Sequence, residues 1–199
     1  MSSGNATQIG YSAPNSSEEY IIDASASQLR IHAFADGIVA AIAHSPKFDV
    51  RHWVGVTRLN ADAVDHGPLR ITIDTSGIEL VDSVRESDRT EIYRVLHHDV
   101  LRSQQYPEIV FDGNWRLQSS VGPGLYDVAV TGSLRLCGGM HQESFDARVN
   151  IGVDTFRAHG KFLLFQRDYG IEPPTIAKSM LRVRNELTLS FFIVARKRS

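Results

Sequence analysis

Residues 126–136, YDVAVTGSLRL, alternate without a break. Tyr126, Val128, Val130, Gly132, Leu134 and Leu136 fall on one side, and Asp127, Ala129, Thr131, Ser133 and Arg135 fall on the other. Period-2 patterning predicts a half-buried β-strand, here about twice the usual 5–6 residues. The same period recurs at Leu29, Ile31 and Ala33, and at Leu69, Ile71 and Ile73 after a Gly-Pro turn. It recurs again at Phe145, Ala147, Val149, Ile151 and Val153 beyond a Gly138-Gly139 turn, and at Leu187, Leu189, Phe191 and Ile193. A short strand is read at Tyr20–Asp23, and GIVAAIAHS (37–45) leans towards strand. Phe48 and Val50 start a strand that loses phase around Trp53–Gly55, which predicts a bulge or bend. A further strand follows Tyr106-Pro107. In GKFLLFQRDYG four consecutive apolar residues predict a segment covered on both faces.

One helix interrupts the series. Over Ser87–Leu101 the apolar residues Ile92, Val95, Leu96 and Val100 recur at helical spacing, and Asp88 with Glu91 reads as a capping box. A single helical turn is expected after Pro174. About eight strands and one main helix predict an all-β chain folded as an antiparallel barrel or sandwich.

Strand length favours the barrel. Ten residues span about 33 Å, and a flat sheet of such strands would expose an apolar face, whereas closure hides that face and removes the edges. Gly132, at mid-strand on the apolar side, sits where tight curling needs a residue that lets the backbone bend. A tall barrel lined by Leu, Val, Ile and Phe encloses either a filled core or an elongated apolar cavity, and periodicity leaves both open.

Composition adds boundaries. The chain has 199 residues, 42% hydrophobic and 22% charged, enough for one sizeable core. Residues 1–17, rich in Ser, Gly, Asn and Ala, are expected to be a disordered tail, with 18–199 forming a single domain. A formal net charge of −2 argues against a nucleic-acid partner. The lone Cys137 can form no intrachain disulfide and no cysteine zinc site. The N-terminal stretch has no secretory pattern, and no window is apolar enough for a transmembrane helix, so a soluble, cytoplasmic protein is expected.

Four segments, in order, carry a family resemblance. LRSQQYPEIVFDG resembles the Tyr-Pro signature that follows the helix in YceI-like proteins. YDVAVTGSLRLCGGMHQESF resembles their central strand and hairpin, with Gly132, Leu134 and Gly138 in matching positions. GKFLLFQRDYGI resembles their Arg-x-Asp-aromatic-Gly region, except that Arg167 and Asp168 are adjacent here, and NELTLSFFIVA resembles their last strand. The resemblance spans roughly residues 20–196. It implies an extended, eight-stranded, lipocalin-like antiparallel β-barrel that binds polyisoprenoids or other long-chain amphiphiles. An isoprenoid or isoprenoid quinone would then be the ligand, with no separate cofactor and no catalysis. Two features depart from the family: many relatives carry a secretion signal, and GGMHQESF lacks the usual Thr-Lys-Pro-type turn.

The alternation supplies the candidate lining: Leu29, Ile31, Ile71, Ile73, Val128, Val130, Leu134, Leu136, Phe145, Val149, Leu187, Leu189 and Phe191. Arg167, following KFLLFQ, is the candidate for meeting a lipid headgroup at the rim. Other chemistry is thin. His97 and His98 are adjacent on a helix and point about 100° apart, so they cannot share a metal. Cys137 and His141 flank the Gly-Gly turn without a second pair nearby. Asp82, Glu86, Asp88 and Glu91 suit a helix N-terminus. Two rivals stay open beside lipid binding. One is a protein-interaction module with a filled barrel that docks through the helix, and the other is a lipid-modifying enzyme. A homodimer also stays open.

Overall fold

The computed structural model describes residues 17–36, 45–60, 65–176 and 181–198. The strands in chain order are β1 (Ser17–Ile22), β2 (Gln28–Asp36), β3 (Lys47–Val50), β4 (Trp53–Asn60), β5 (His66–Asp74) and β6 (Ile78–Leu80). After the helix α1 (Glu86–Arg94) come β7 (Glu108–Gly122), β8 (Leu125–Leu136), β9 (Gly139–Ile151), β10 (Thr155–Phe165), β11 (Thr175–Ile176) and β12 (Leu181–Lys197).

The register reduces these strands to eight staves. β1 and β2 lie end to end along one flank of β12, from Tyr20 opposite Lys197 to Asp36 opposite Arg182. β3 and β4 form the next stave against them, and β6 and β5 the third. β7, β8, β9, β10 and β12 complete the circuit, every stave antiparallel to its neighbours. Pairing of β1 with β12 closes the sheet. The result is a closed eight-stranded antiparallel β-barrel, as the alternation and the family resemblance implied.

The first three staves all break at one level. The first is interrupted by a 3₁₀ turn over Ala24–Ala26, the second at Arg51–His52, the third by a 3₁₀ turn over Thr75–Gly77. Arg51 N–H donates to Gly77 O at 2.7 Å and Asp74 N–H to His52 O at 2.9 Å, so neighbouring breaks satisfy each other's backbone. The bend expected at Trp53–Gly55 therefore falls earlier, and β4 runs unbroken through Gly55.

The helix continues past Arg94 as a π-helical segment over Val95–Val100, with Leu101 N–H donating to Leu96 O at 2.8 Å. It carries no capping box. Arg85 is the N-cap and makes no side-chain cap, while Asp88 lies inside the first turn. Glu86 and Asp88 there complement the helix dipole. Tyr93 Oη accepts the N–H of Leu80, and Arg89 donates to Asp82 O, fastening the helix to β6 and the residues after it.

Other expectations change in detail. The β8–β9 hairpin turns at Cys137-Gly138, one residue early, with φ of 51° and 81°. Leu163 and Phe165 are 53% and 40% exposed, so the KFLLF run alternates like the rest and is not covered on both faces. Val153 lies beyond the end of β9 and is 87% exposed. Thr175–Ile176 is a short strand on β12, not a helical turn. The expected tail lies outside the described residues except for Ser17, which begins β1. Residues 37–44 of the expected GIVAAIAHS strand also lie outside them.

Gly132 is explained by its neighbour across the ladder. It pairs with Gly113 of β7, and a Cβ on Gly132 would lie 2.6 Å from Phe111 Cζ and 2.7 Å from both Asp112 O and Gly113 Cα. Two facing glycines let the Phe111 ring lie over the sheet. Gly132→Val should lower stability by about 1–3 kcal/mol through overpacking, while Thr131→Val, pointing outward, should leave the denaturation midpoint within error. Equal midpoints for parent and Gly132→Val would refute this reading.

Carboxylates clamp the closing stave. Glu18 meets Lys197 at 2.6 Å, Glu19 meets Arg198 and Arg58 at 2.8 Å each, and Asp23 meets Arg196 at 3.1 Å. Hydrogen bonds from Lys197 hold the Glu18 carboxyl below its ordinary 4.5. Arg198 and then Arg58 do the same for Glu19, and Ser25 and then Arg196 hold Asp23 below 3.8. Carboxyls depressed in the folded state contribute stability above their ordinary values, and that contribution disappears as pH falls through the folded ones. The thermal midpoint should fall from pH 5 towards pH 3. The combined Glu18→Gln, Glu19→Gln and Asp23→Asn variant should fall less steeply over that interval.

Candidate ligand-binding cavity

Inward side chains from all eight staves surround one continuous apolar cavity of about 230 Å³. An apolar cavity of roughly 150 Å³ already admits a benzene-sized guest. Leu29 and Ile31 of β2 and Ile71 and Ile73 of β5 line it. So do Val128, Val130, Leu134 and Leu136 of β8, Phe145 and Val149 of β9, and Leu187, Leu189 and Phe191 of β12. Ile31, Ile71, Ile73, Phe145, Leu187, Leu189 and Phe191 point inward yet remain partly exposed. Inward side chains of a filled core would be sealed from solvent, so the barrel is hollow around them.

The two ends are closed differently. At one end Trp115, Tyr20 and Phe156 form an aromatic stopper, with ring centroids 6.4 Å apart for Tyr20–Phe156 and 6.1 Å for Trp115–Phe156. Trp115 Nε1 donates to Thr57 Oγ1 at 3.0 Å, and Thr57 Oγ1 donates to Pro68 O at 2.8 Å, so the buried indole is satisfied. At the other end the helix lays Ile92, Val95, Leu96 and Val100 against the cavity. The helical spacing revealed this stripe, but nothing in it pointed to a barrel floor. Phe111, Trp115 and Phe162 also line the cavity. Phe111 and Trp115 share a period-2 phase with Ile109, a signal that could have found them.

Charge is excluded. Thr57 and Gln166 are the polar residues among the lining, and Gln166 Nε2 donates to Arg184 O at 2.7 Å. Arg167 is not at the cavity. Its side chain is 61% exposed and pairs with Glu172 at 3.3 Å, while its N–H donates to Asn185 Oδ1. The strand ends at Phe165, and the 3₁₀ turn Gln166–Tyr169 carries Arg167 outward, so Gln166 takes the inward position. A polar cluster lies at the foot of β9. The Tyr169 hydroxyl donates to Glu143, and His141 Nδ1 lies 3.5 Å from the same carboxylate oxygen. Burial, then Glu143, pushes the Tyr169 hydroxyl far above the ordinary tyrosine range.

The remaining candidates are dispersed. His97 stacks on Tyr93 and contacts Ser103, and His98 contacts Asp99. Cys137 Sγ donates to Leu101 O, and burial raises its thiol pKa. Among the described residues no group of three His, Cys, Asp or Glu side chains is placed to hold a metal ion. No described helix is long and apolar enough to cross a membrane.

A closed up-and-down barrel around a hollow, uncharged interior defines a lipocalin-like class of architecture. Within it the chain belongs to the YceI-like domain family, whose sequence profile matches residues 20–195. Solved structures agree in fold. BcnA of Burkholderia cenocepacia has a TM-score of 0.66 at 16% identity, covering 87% of this chain and 98% of that one. A polyisoprenoid-binding domain from Saccharophagus degradans, implicated in plant cell wall breakdown, has a TM-score of 0.62 at 12% identity, covering 90% and 98%. The Campylobacter jejuni YCEI protein has a TM-score of 0.52 at 12% identity, covering 76% and 85%. Comparison with curated protein sequences finds no significant match.

Thr57→Val should strand the buried Trp115 N–H and destabilise the fold by about 1–3 kcal/mol. Thr57→Ser, which keeps the acceptor, should recover most of that loss in the same urea titration.

Proposed function

We propose that the barrel binds a long-chain hydrophobic molecule in its interior, an isoprenoid or other amphiphilic lipid, and carries or sequesters it. The carrying observation is the lining: apart from Thr57 and Gln166, each already hydrogen-bonded, every residue of it is apolar. Each ligand methylene moved from water onto such a wall contributes about 0.8 kcal/mol. A chain of several isoprene units therefore binds without a polar anchor, after association costs are met.

The similarity to the polyisoprenoid-binding domain of Saccharophagus degradans supports the isoprenoid class, and an isoprenoid quinone fits the same chemistry. Partly exposed inward side chains favour a carrier over a filled interaction module. The lining has no ionisable side chain among the described residues, which favours retention of the ligand over its chemical turnover. The single cysteine is buried and the fold needs no disulfide, which makes it compatible with a cytoplasmic location.

Adjacent positions on β12 provide the test. Leu189 lines the cavity, while Thr188 belongs to the opposite face. Leu189→Trp should reduce equilibrium uptake of a fluorescent long-chain fatty acid at least tenfold, with an unchanged far-ultraviolet spectrum. Thr188→Trp should bind as the parent does. Normal uptake by both variants, or none by the parent, would overturn the proposal.

A further inference from the structure

The ladder between β9 and β10 is incomplete. It runs from Ile151 opposite Phe156 to Ala147 opposite Gly160 and ends there. β9 continues to Gly139 paired only with β8, and β10 continues to Phe165 paired only with β12. Two strand edges therefore face each other with side chains between them.

The fill is mainly aromatic. Phe145 of β9 and Phe162 of β10 occupy the positions where the ladder would have continued. Their rings stack at 4.3 Å and 9°, with Phe191 edge-on to Phe145 at 5.8 Å. All three line the cavity and are partly exposed. The foot of the seam is bridged by the 3₁₀ turn Gln166–Tyr169. Gln166 Nε2 donates to Arg184 O and Arg167 N–H donates to Asn185 Oδ1 on β12, while the Tyr169 hydroxyl donates to Glu143 on β9. These bonds also stitch the register shift in β12 between Val183 and Leu187. The opening is thus framed by the ladder above and the Tyr169–Glu143 bond below. Exposed Leu163 and Phe165 stand on one strand, and Met140, 72% exposed, on the other.

We infer that this seam between β9 and β10 is a lateral portal through which an apolar chain reaches the cavity, with the Phe145–Phe162 stack as its gate. The inference rests on the carrier reading above. Passage by this route breaks no ladder hydrogen bond. The stack is worth about 0.5–1.5 kcal/mol beyond its area, and an incoming hydrocarbon replaces the apolar contact that the two rings lose. Among the described residues the ends are more strongly closed, because one carries the hydrogen-bonded Trp115 stopper and the other the packed helix. Framed on both sides, the portal suits a linear or isoprenoid chain sliding lengthwise and excludes a bulky head, which stays outside.

The test is stopped-flow uptake and release of cis-parinaric acid. Phe162→Ala should raise both rates several-fold, and Tyr169→Phe, which frees the foot of the seam, should raise them with little change in Kd. In the Ser144→Cys, Leu163→Cys double variant, two outward positions face each other across the seam, and the native thiol stays buried. Joining them with a short bifunctional maleimide should slow both rates at least tenfold relative to the same variant capped with N-ethylmaleimide. Unchanged rates in the joined protein and in Phe162→Ala would overturn the portal while leaving the carrier reading intact. Absence of parinaric acid binding by the parent at equilibrium would overturn both.

Discussion

The fold depends on one backbone constraint: strands this long cannot leave a whole flank unpaired. Pairing of β1 with β12 supplies partners for both terminal staves, and every other stave already has two neighbours. Once the sheet closes on itself, alternate side chains have nowhere to point but inward. Eight staves enclose an interior that side chains can either fill or leave partly open, and here they leave a cavity of about 230 Å³. The apolar character of the lining follows from the same alternation that made the strands.

The aligned breaks and the helix determine the shape of that interior. Three neighbouring staves are interrupted at one level; the second and third interruptions hydrogen-bond to each other, and the first is held to β12 by Asp23 N–H donating to Val194 O. α1 is tied to β6 and the segment after it, and covers that end. The Cys137 turn is fastened to the helix terminus, Cys137 Sγ donating to Leu101 O and Arg102 donating to Cys137 O. The floor and the longest hairpin are therefore one mechanical unit, and the opposite end is sealed by rings packed around a single satisfied indole.

Much of this was legible in the chain. Val128, Val130, Leu134 and Leu136, Phe145 and Val149, and Leu187, Leu189 and Phe191 all line the cavity because period 2 is a local property of a strand. Gly132 was readable as special, although its partner Gly113 and the Phe111 ring above it belong to a strand that only the register identifies. What escaped depends on distant partners. The break at Arg51–His52 is fixed by Gly77. Arg167 leaves the interior because a short turn replaces the strand after Phe165. The KFLLF run looks buried on both faces in isolation, yet Leu163 and Phe165 emerge beside a strand edge without a neighbour. The helix stripe was visible, but its target was not.

The connectivity also governs how the barrel can be made. Each stave pairs with the next in sequence, so most of the sheet can form by successive antiparallel additions, although pairings such as Asp74 with Glu108 already span the helix. The exception is the closing ladder, which joins Tyr20 to Lys197. That loop cannot close until β12 has left the ribosome. Until then β1 and β2 wait with an unpaired flank, and the inward face of the growing sheet is open to water. The barrel is therefore assembled along the chain as it emerges but completed only once β12 is free to pair, and the interval before that is when its greasy lining is most open to aggregation or to capture by a chaperone.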